Sequence, residues 1–159
     1  PLRRQRQMCI RDSSYIMMKN VAYKTYFDVT MDDYEDILKD FTNLAISKGK
    51  TITGPLTFAV TQIDLQKRMN IDLFISVGKC FKSNEELSYR TYFCLDNMLH
   101  GRITSNNFIT DEIALLEDMN EFASDNNLTF TSPYYHTMRK SFSGEQGWID
   151  VKAKVYEND

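Results

Sequence analysis

The chain repeats itself, and that constrains its fold more than any composition figure. Across a shift of 78 residues, Ile37 falls on Leu115, Leu38 on Leu116, Phe41 on Met119, Leu44 on Phe122 and Ala45 on Ala123. The same shift puts Pro55 on Pro133, Ile71-Asp72-Leu73 on Ile149-Asp150-Val151, and Val77 on Val155. The leading segments match at a shift of 77, with Tyr15 on Tyr92 and Asn20 on Asn97. Helical periodicity alone would align several apolar residues, but it would not hold one offset through a helix, a proline and a strand. The expectation is a chain of two halves on one plan, covering about 14–79 and 87–157.

Each half reads strand, helix, strand, strand. Tyr34, Ile37, Leu38, Phe41, Leu44 and Ala45 fall at the spacing of one helical face. Thr30 is placed to cap that helix, Asp33 to complete a capping box, and Gly49 to end it. The second helix carries Ile113, Leu115, Leu116, Met119, Phe122 and Ala123, with Thr110 as the expected cap and Asn126 or Asn127 as the stop. Strands are expected at 14–27, 54–64 and 69–78, then at 87–100, 133–142 and 147–156. Ser143 to Gly147 supplies turn residues between the last two. The final strand of each half alternates: Ile71, Leu73, Ile75 and Val77 face the helix, with Asp72, Phe74 and Ser76 opposite. In the second half Ile149, Val151, Ala153 and Val155 face the helix, leaving Asp150, Lys152, Lys154 and Tyr156 opposite. The fold class expected is α+β: a largely antiparallel sheet, two helices on one side, and a groove between the halves.

Residues 1–13 differ in character, with four arginines among them. No apolar run follows that could make an export signal. The stretch resembles sequence read-through, or a basic arm, and is read as a non-native or disordered leader before a single domain at 14–159. Without it the 19 basic and 22 acidic residues of the chain lose four Arg and Asp12, leaving 15 against 21. A net charge of −6 disfavours nonspecific nucleic acid and anionic membrane surfaces. No run approaches the roughly 20 apolar residues of a membrane span, so a cytoplasmic location is expected. The three cysteines have neither a disulfide framework nor metal spacing.

The duplicated β-α-β-β plan, with Gly54-Pro55 entering the second strand, resembles the GyrI-like, or bacterial effector-binding, fold. Members of that group bind small, often cationic amphiphiles between their two halves, using aromatic walls and an acidic residue on a central strand. The strings IMMKNVAYKTYF, DFTNLAISKGKTITGPLTFAV, IDLFISV, YRTYFCLDNML and NNLTFTSPYYH resemble an uncharacterised Gram-positive family. Genes of that family lie beside LXG toxins and type VII secretion components. The resemblance implies a non-enzymatic binding or accessory protein whose partner is a helical secretion protein or toxin, or a small cationic amphiphile. It carries over no catalytic residue, cofactor or metal.

The candidate ligand-binding residues are Asp72, Phe74, Tyr134, Tyr135, Trp148 and Asp150. Aromatic walls with one carboxylate suit an organic cation. At least one of the adjacent Tyr134 and Tyr135 should point away from the helix. Asp72 and Asp150, if brought together, would support the alternative of a small hydrolase-like enzyme. Cys94 lies among Tyr92, Phe93 and Leu95 and reads as a buried thiol. His100 and His136 have no partner at metal-binding spacing.

Overall fold

The computed structural model describes residues 10–48, 51–104, 107–140 and 147–159. The expected stop at Gly49 and most of the turn at 143–147 lie outside the described residues. The elements are β1 (Arg11–Val29), a 3₁₀ turn (Met31–Asp33), α1 (Tyr34–Ser47), β2 (Thr57–Ile63) and β3 (Met69–Ser76). There follow β4 (Ser88–Ile103), α2 (Phe108–Asp125), β5 (Leu128–Phe130), β6 (Tyr135–Lys140) and β7 (Gly147–Glu157). The chain divides into two units. One is Met17–Cys94; the other takes the chain up to Ile16 together with Leu95–Asp159.

In the Met17–Cys94 unit, β3 is the middle strand, antiparallel to β1 on one side and β2 on the other. The period-two reading of β3 holds, since Ile71 and Leu73 are fully buried and Ile75 and Val77 nearly so. On α1, Phe41 and Ala45 are the buried pair. Its entry is capped as expected: the Thr30 backbone N–H donates to Asp33 Oδ2 at 3.0 Å, and the Asp33 N–H bonds back to Thr30 O at 3.1 Å.

In the other unit β7 is central, antiparallel to β4 and β6, with its C-terminal end paired to β5. The core is Leu99, Ile103, Met119, Ala123, Val151 and Val155, joined by Ile10. Helix α2 begins at Phe108, two residues before Thr110, the residue expected to cap it. Its first hydrogen bond runs from the Asp111 N–H to Asn107 O, which makes Asn107 the cap and puts Thr110 inside the first turn. The far end stops as expected. Asn126 is the C-cap and Asn127 adopts φ 57°, a left-handed conformation that asparagine tolerates better than most residues.

The two units share one pairing register. Val21, Ala22, Tyr23, Lys24 and Thr25 oppose Ser76, Ile75, Phe74, Leu73 and Asp72. Met98, Leu99, His100, Gly101 and Arg102 oppose Lys154, Ala153, Lys152, Val151 and Asp150. Asn20 and Asn97, at corresponding places, have φ of 51° and 52°. The Thr53 N–H bonds to Ser76 O, as the Thr131 N–H bonds to Lys154 O.

Of the expected leader, residues 1–9 lie outside the described residues. Arg11–Ser13 open β1, and Ile10 is only 6% exposed within the core. The structured chain therefore starts before Ser14. A chain cut at Ser14 is expected to lose about 2 kcal/mol or more of apolar packing relative to one cut at Ile10. That corresponds to a fall in Tm of roughly 4–8 °C for a chain of this size. Equal melting temperatures would show that Ile10 does not contribute.

Candidate binding site

Asp150 lies at the middle of β7 on the face turned away from α2, and it is 3% exposed. A buried carboxylate needs partners, and three come from neighbouring strands. Arg102, directly opposite on β4, donates Nε–H to Oδ1 at 2.9 Å. His100, two residues earlier on the same strand face, has Nε2 at 2.9 Å from that oxygen. Arg139 on β6 donates Nε–H to Oδ2 at 2.9 Å. Burial alone would raise the Asp150 pKa. The hydrogen bonds from His100 and Arg102 and their charges more than reverse this and hold the carboxyl well below the usual carboxylate range.

Further polar groups border this face. Lys152 is half-buried and directs Nζ to Tyr15 O at 2.8 Å. Its pKa is lowered chiefly by burial, with the pull of Asp150 opposed by Arg139 and Arg102. Trp148, half-buried, lies under Arg102, whose guanidinium is 5.2 Å from the ring centroid. The Arg102 and Arg139 side chains remain 50% and 42% exposed. Two arginines and a lysine against one carboxylate leave this face with an excess of positive charge. The expectation of Asp150 as the acid for an organic cation does not fit this arrangement, because Asp150 is buried and spent on arginines.

The other expected site residues are distributed as follows. Asp72 is at the corresponding place in the Met17–Cys94 unit, but its partner across the strand is Thr25, whose hydroxyl donates to it at 2.6 Å. Phe74 is buried and stacked between Phe93 at 4.7 Å and Tyr23 at 6.2 Å, which makes it packing within its own unit. Tyr134 belongs to the helix side: it packs on the core and donates its hydroxyl to Asn120 of α2 at 2.9 Å. Burial raises its pKa. Tyr135 is paired with Lys152 in the β6–β7 register, and shares the Thr137 and Arg139 side of its strand. Of the pair, Tyr135 is thus the ring on the polar face.

Cys94 is exposed rather than buried; Phe93 takes the inward position, and strand alternation turns Cys94 outward. His136 is 4% exposed on the helix side of β6, with Nε2 at 3.1 Å from Glu112 Oε2. Sequence reasoning missed Arg102 and Arg139. The strand expected at 87–100 stops two residues short of Arg102, and the link to Asp150 exists only in the three-strand register. The available signal was alternation, His100-x-Arg102 and Thr137-x-Arg139 on neighbouring strands. Among the described residues, no group of three or more His, Cys, Asp or Glu could hold a metal, and no helix is long and apolar enough to cross a membrane.

Comparison with known families matches residues 17–157 to a domain of unknown function, DUF5085. The chain belongs to the DUF5085 family. No protein of curated description matches this DUF5085 chain. Solved structures do match in fold. An EcmrR–DNA complex in EcmrR-RPo is similar with TM-score 0.68 and 10% identity, over 95% of this chain and 59% of that one. The chain thus spans less than two thirds of that protein. The EcmrR C-terminal domain gives TM-score 0.62 and 11% identity, over 94% and 99%. A hydrolase from Listeria innocua gives 0.58 and 9%, over 92% of each chain. At such identities the likeness concerns fold alone: this DUF5085 protein is α+β, mostly antiparallel with two helices, and its structural neighbours are GyrI-like.

Proposed function

We propose that this protein works by binding rather than turnover, and that the β4–β7–β6 face of one unit takes a ligand bearing an anionic group. The observation that carries this is the buried Asp150 holding Arg102 and Arg139 in place. Each arginine commits Nε–H to Asp150, and a guanidinium has five N–H donors. The exposed remainder is a pre-positioned pair of forks, the geometry that recognises carboxylate or phosphate. The same geometry argues against catalysis by Asp150. A carboxylate kept ionised and saturated by three partners is a poor general acid, general base or nucleophile.

Two further parts of the reading have their own support. The chain is a duplication, supported by identical registers at offsets of 77 and 78 and by the paired left-handed asparagines. Divergence then put Arg102 where the other half has Thr25, which confines the anion site to one half. An accessory role beside type VII secretion toxins is supported by the resemblance of the quoted strings to that family.

A backbone-amide NMR titration at fixed ionic strength tests the binding reading. Acetate is expected to shift β4, β6 and β7 resonances saturably, while tetramethylammonium does not. Arg139→Gln should weaken acetate binding about tenfold, the loss of one hydrogen bond to a charged group. A preference for tetramethylammonium would overturn the assignment. Ester hydrolysis that disappears in Asp150→Asn would overturn the non-enzymatic part.

A further inference from the structure

On the polar face of β7, Trp148, Asp150 and Lys152 follow one another at every second residue. Lys152 stands opposite His100 on β4 and Tyr135 on β6, one row beyond the row of Arg102, Asp150 and Thr137. Its Nζ is held in place by Tyr15: it donates to Tyr15 O at 2.8 Å and lies 5.9 Å from the ring centroid. An ammonium has three N–H donors, so Lys152 keeps donors for a ligand.

Two observations select that ligand. Lys152 is half-buried, yet among the described residues no carboxylate makes an ion pair with it. Asp150, two residues away on the same face, is spent on His100, Arg102 and Arg139. Lys154, by contrast, has an acid of its own, with Nζ at 2.5 Å from Asp96 Oδ1. The second observation is that the three cations feel one another. Burial is the main cause of the lowered Lys152 pKa, and the charges of Arg139 and Arg102 add to it against the pull of Asp150. The ammonium therefore lies within the field of both guanidiniums. The other unit has no such set: its β1–β3 register carries Tyr23–Phe74 and Thr25–Asp72 where this one carries His100–Lys152 and Arg102–Asp150.

We infer that this face takes a small dicarboxylate, with one carboxylate on the Arg102 and Arg139 forks and the other on Lys152. The inference rests on the anion-binding reading above and adds a second charge to the ligand. Two strand residues set the Asp150 and Lys152 rows about 7 Å apart, a span that the ends of a five-carbon diacid can bridge between these side chains. One hydrogen bond to a charged group is worth about tenfold in affinity. Glutarate should therefore bind at least about tenfold tighter than pentanoate, which has the same chain and a single charge.

The probes are glutarate, pentanoate and sulfate, titrated at fixed ionic strength against the NMR shifts of β4, β6 and β7 in the whole chain. Glutarate should bind tightest of the three, since sulfate holds its two charges on one centre. Lys152→Gln should bring glutarate down to the affinity of pentanoate, and Lys152→Arg should keep the preference. Equal binding of glutarate and pentanoate by the unaltered chain overturns the second subsite and leaves the anion site standing. A preference for glutarate that survives in Lys152→Gln overturns the assignment to Lys152. Sulfate as tight as glutarate puts both charges on the arginines and overturns the two-ended ligand. Failure of all three anions to bind overturns this inference and the reading beneath it together.

Discussion

Asp150→Asn is expected to destabilise the protein by about 3 kcal/mol at pH 7, the lower end of the cost of breaking a buried charge pair, because the arginines are half-exposed. The amide preserves the shape but removes the charge. It also turns a donor toward Arg102, His100 or Arg139, all of which need an acceptor. Tm should fall by roughly 6–12 °C for a chain of this size. The pH dependence is specific to this mechanism. Burial acts to raise the Asp150 pKa, and the His100 and Arg102 bonds lower it further than burial raises it. A carboxyl with a depressed folded pKa contributes its full stability above the unfolded value, near 4, and loses it as pH falls below that. The stability gap between wild type and Asp150→Asn, measured by urea unfolding, should be present in full at pH 5. Below about pH 4 it should shrink by up to about 1.4 kcal/mol per pH unit. A gap that stays the same down to pH 2.5 would mean that Asp150 contributes shape and not charge.

Gly101→Val should be comparably damaging, for a steric reason. Gly101 is on the helix side of β4, opposite Val151, where a Cβ would come within 2.5 Å of Leu115 Cδ1 and 3.2 Å of its Cγ. A single methyl would press on a movable side-chain end; the branched valine would press on the whole Leu115 side chain. Overpacking of this kind costs typically 1–3 kcal/mol, and the upper half of that range is expected here. Leu115→Ala on its own loses packing against the core. In the Gly101→Val background it should restore part of the stability, so the double variant will be less unstable than the sum of the singles. Thermal melts of the four chains check this. Strict additivity would show that the two residues do not meet.

The amphipathic and alternating patterns were legible because they depend only on local geometry. The face of α1 with Phe41 and Ala45, and the inward row of β3, came out as the period required. The left-handed stop after α2 was also legible, since asparagine at that place reports a backbone need. Less local features were not. Strand β5 has three residues and exists only because β7 is there to pair with it. Tyr134 and Tyr135 could not be assigned to faces until the start of β6 was fixed. Cys94 was read as buried from its apolar neighbours, whereas strand alternation turns it outward beside a buried Phe93.

By itself, the sequence determined an α+β chain with two amphipathic helices and the alternation of its strands, which puts Asp72 and Asp150 opposite their inward rows. Periodicity and a constant offset are properties of the chain order and survive without coordinates. Only the tertiary structure decided what the two acids became. Asp72 meets the hydroxyl of Thr25 and remains a modest strand-face acid, while Asp150 meets Arg102, His100 and Arg139 and becomes a buried anion beneath a cationic surface. The reason is that the charge environment of a strand residue is set by its cross-strand and diagonal neighbours. Those neighbours are 11 to 50 residues away in sequence, and register alone brings them together.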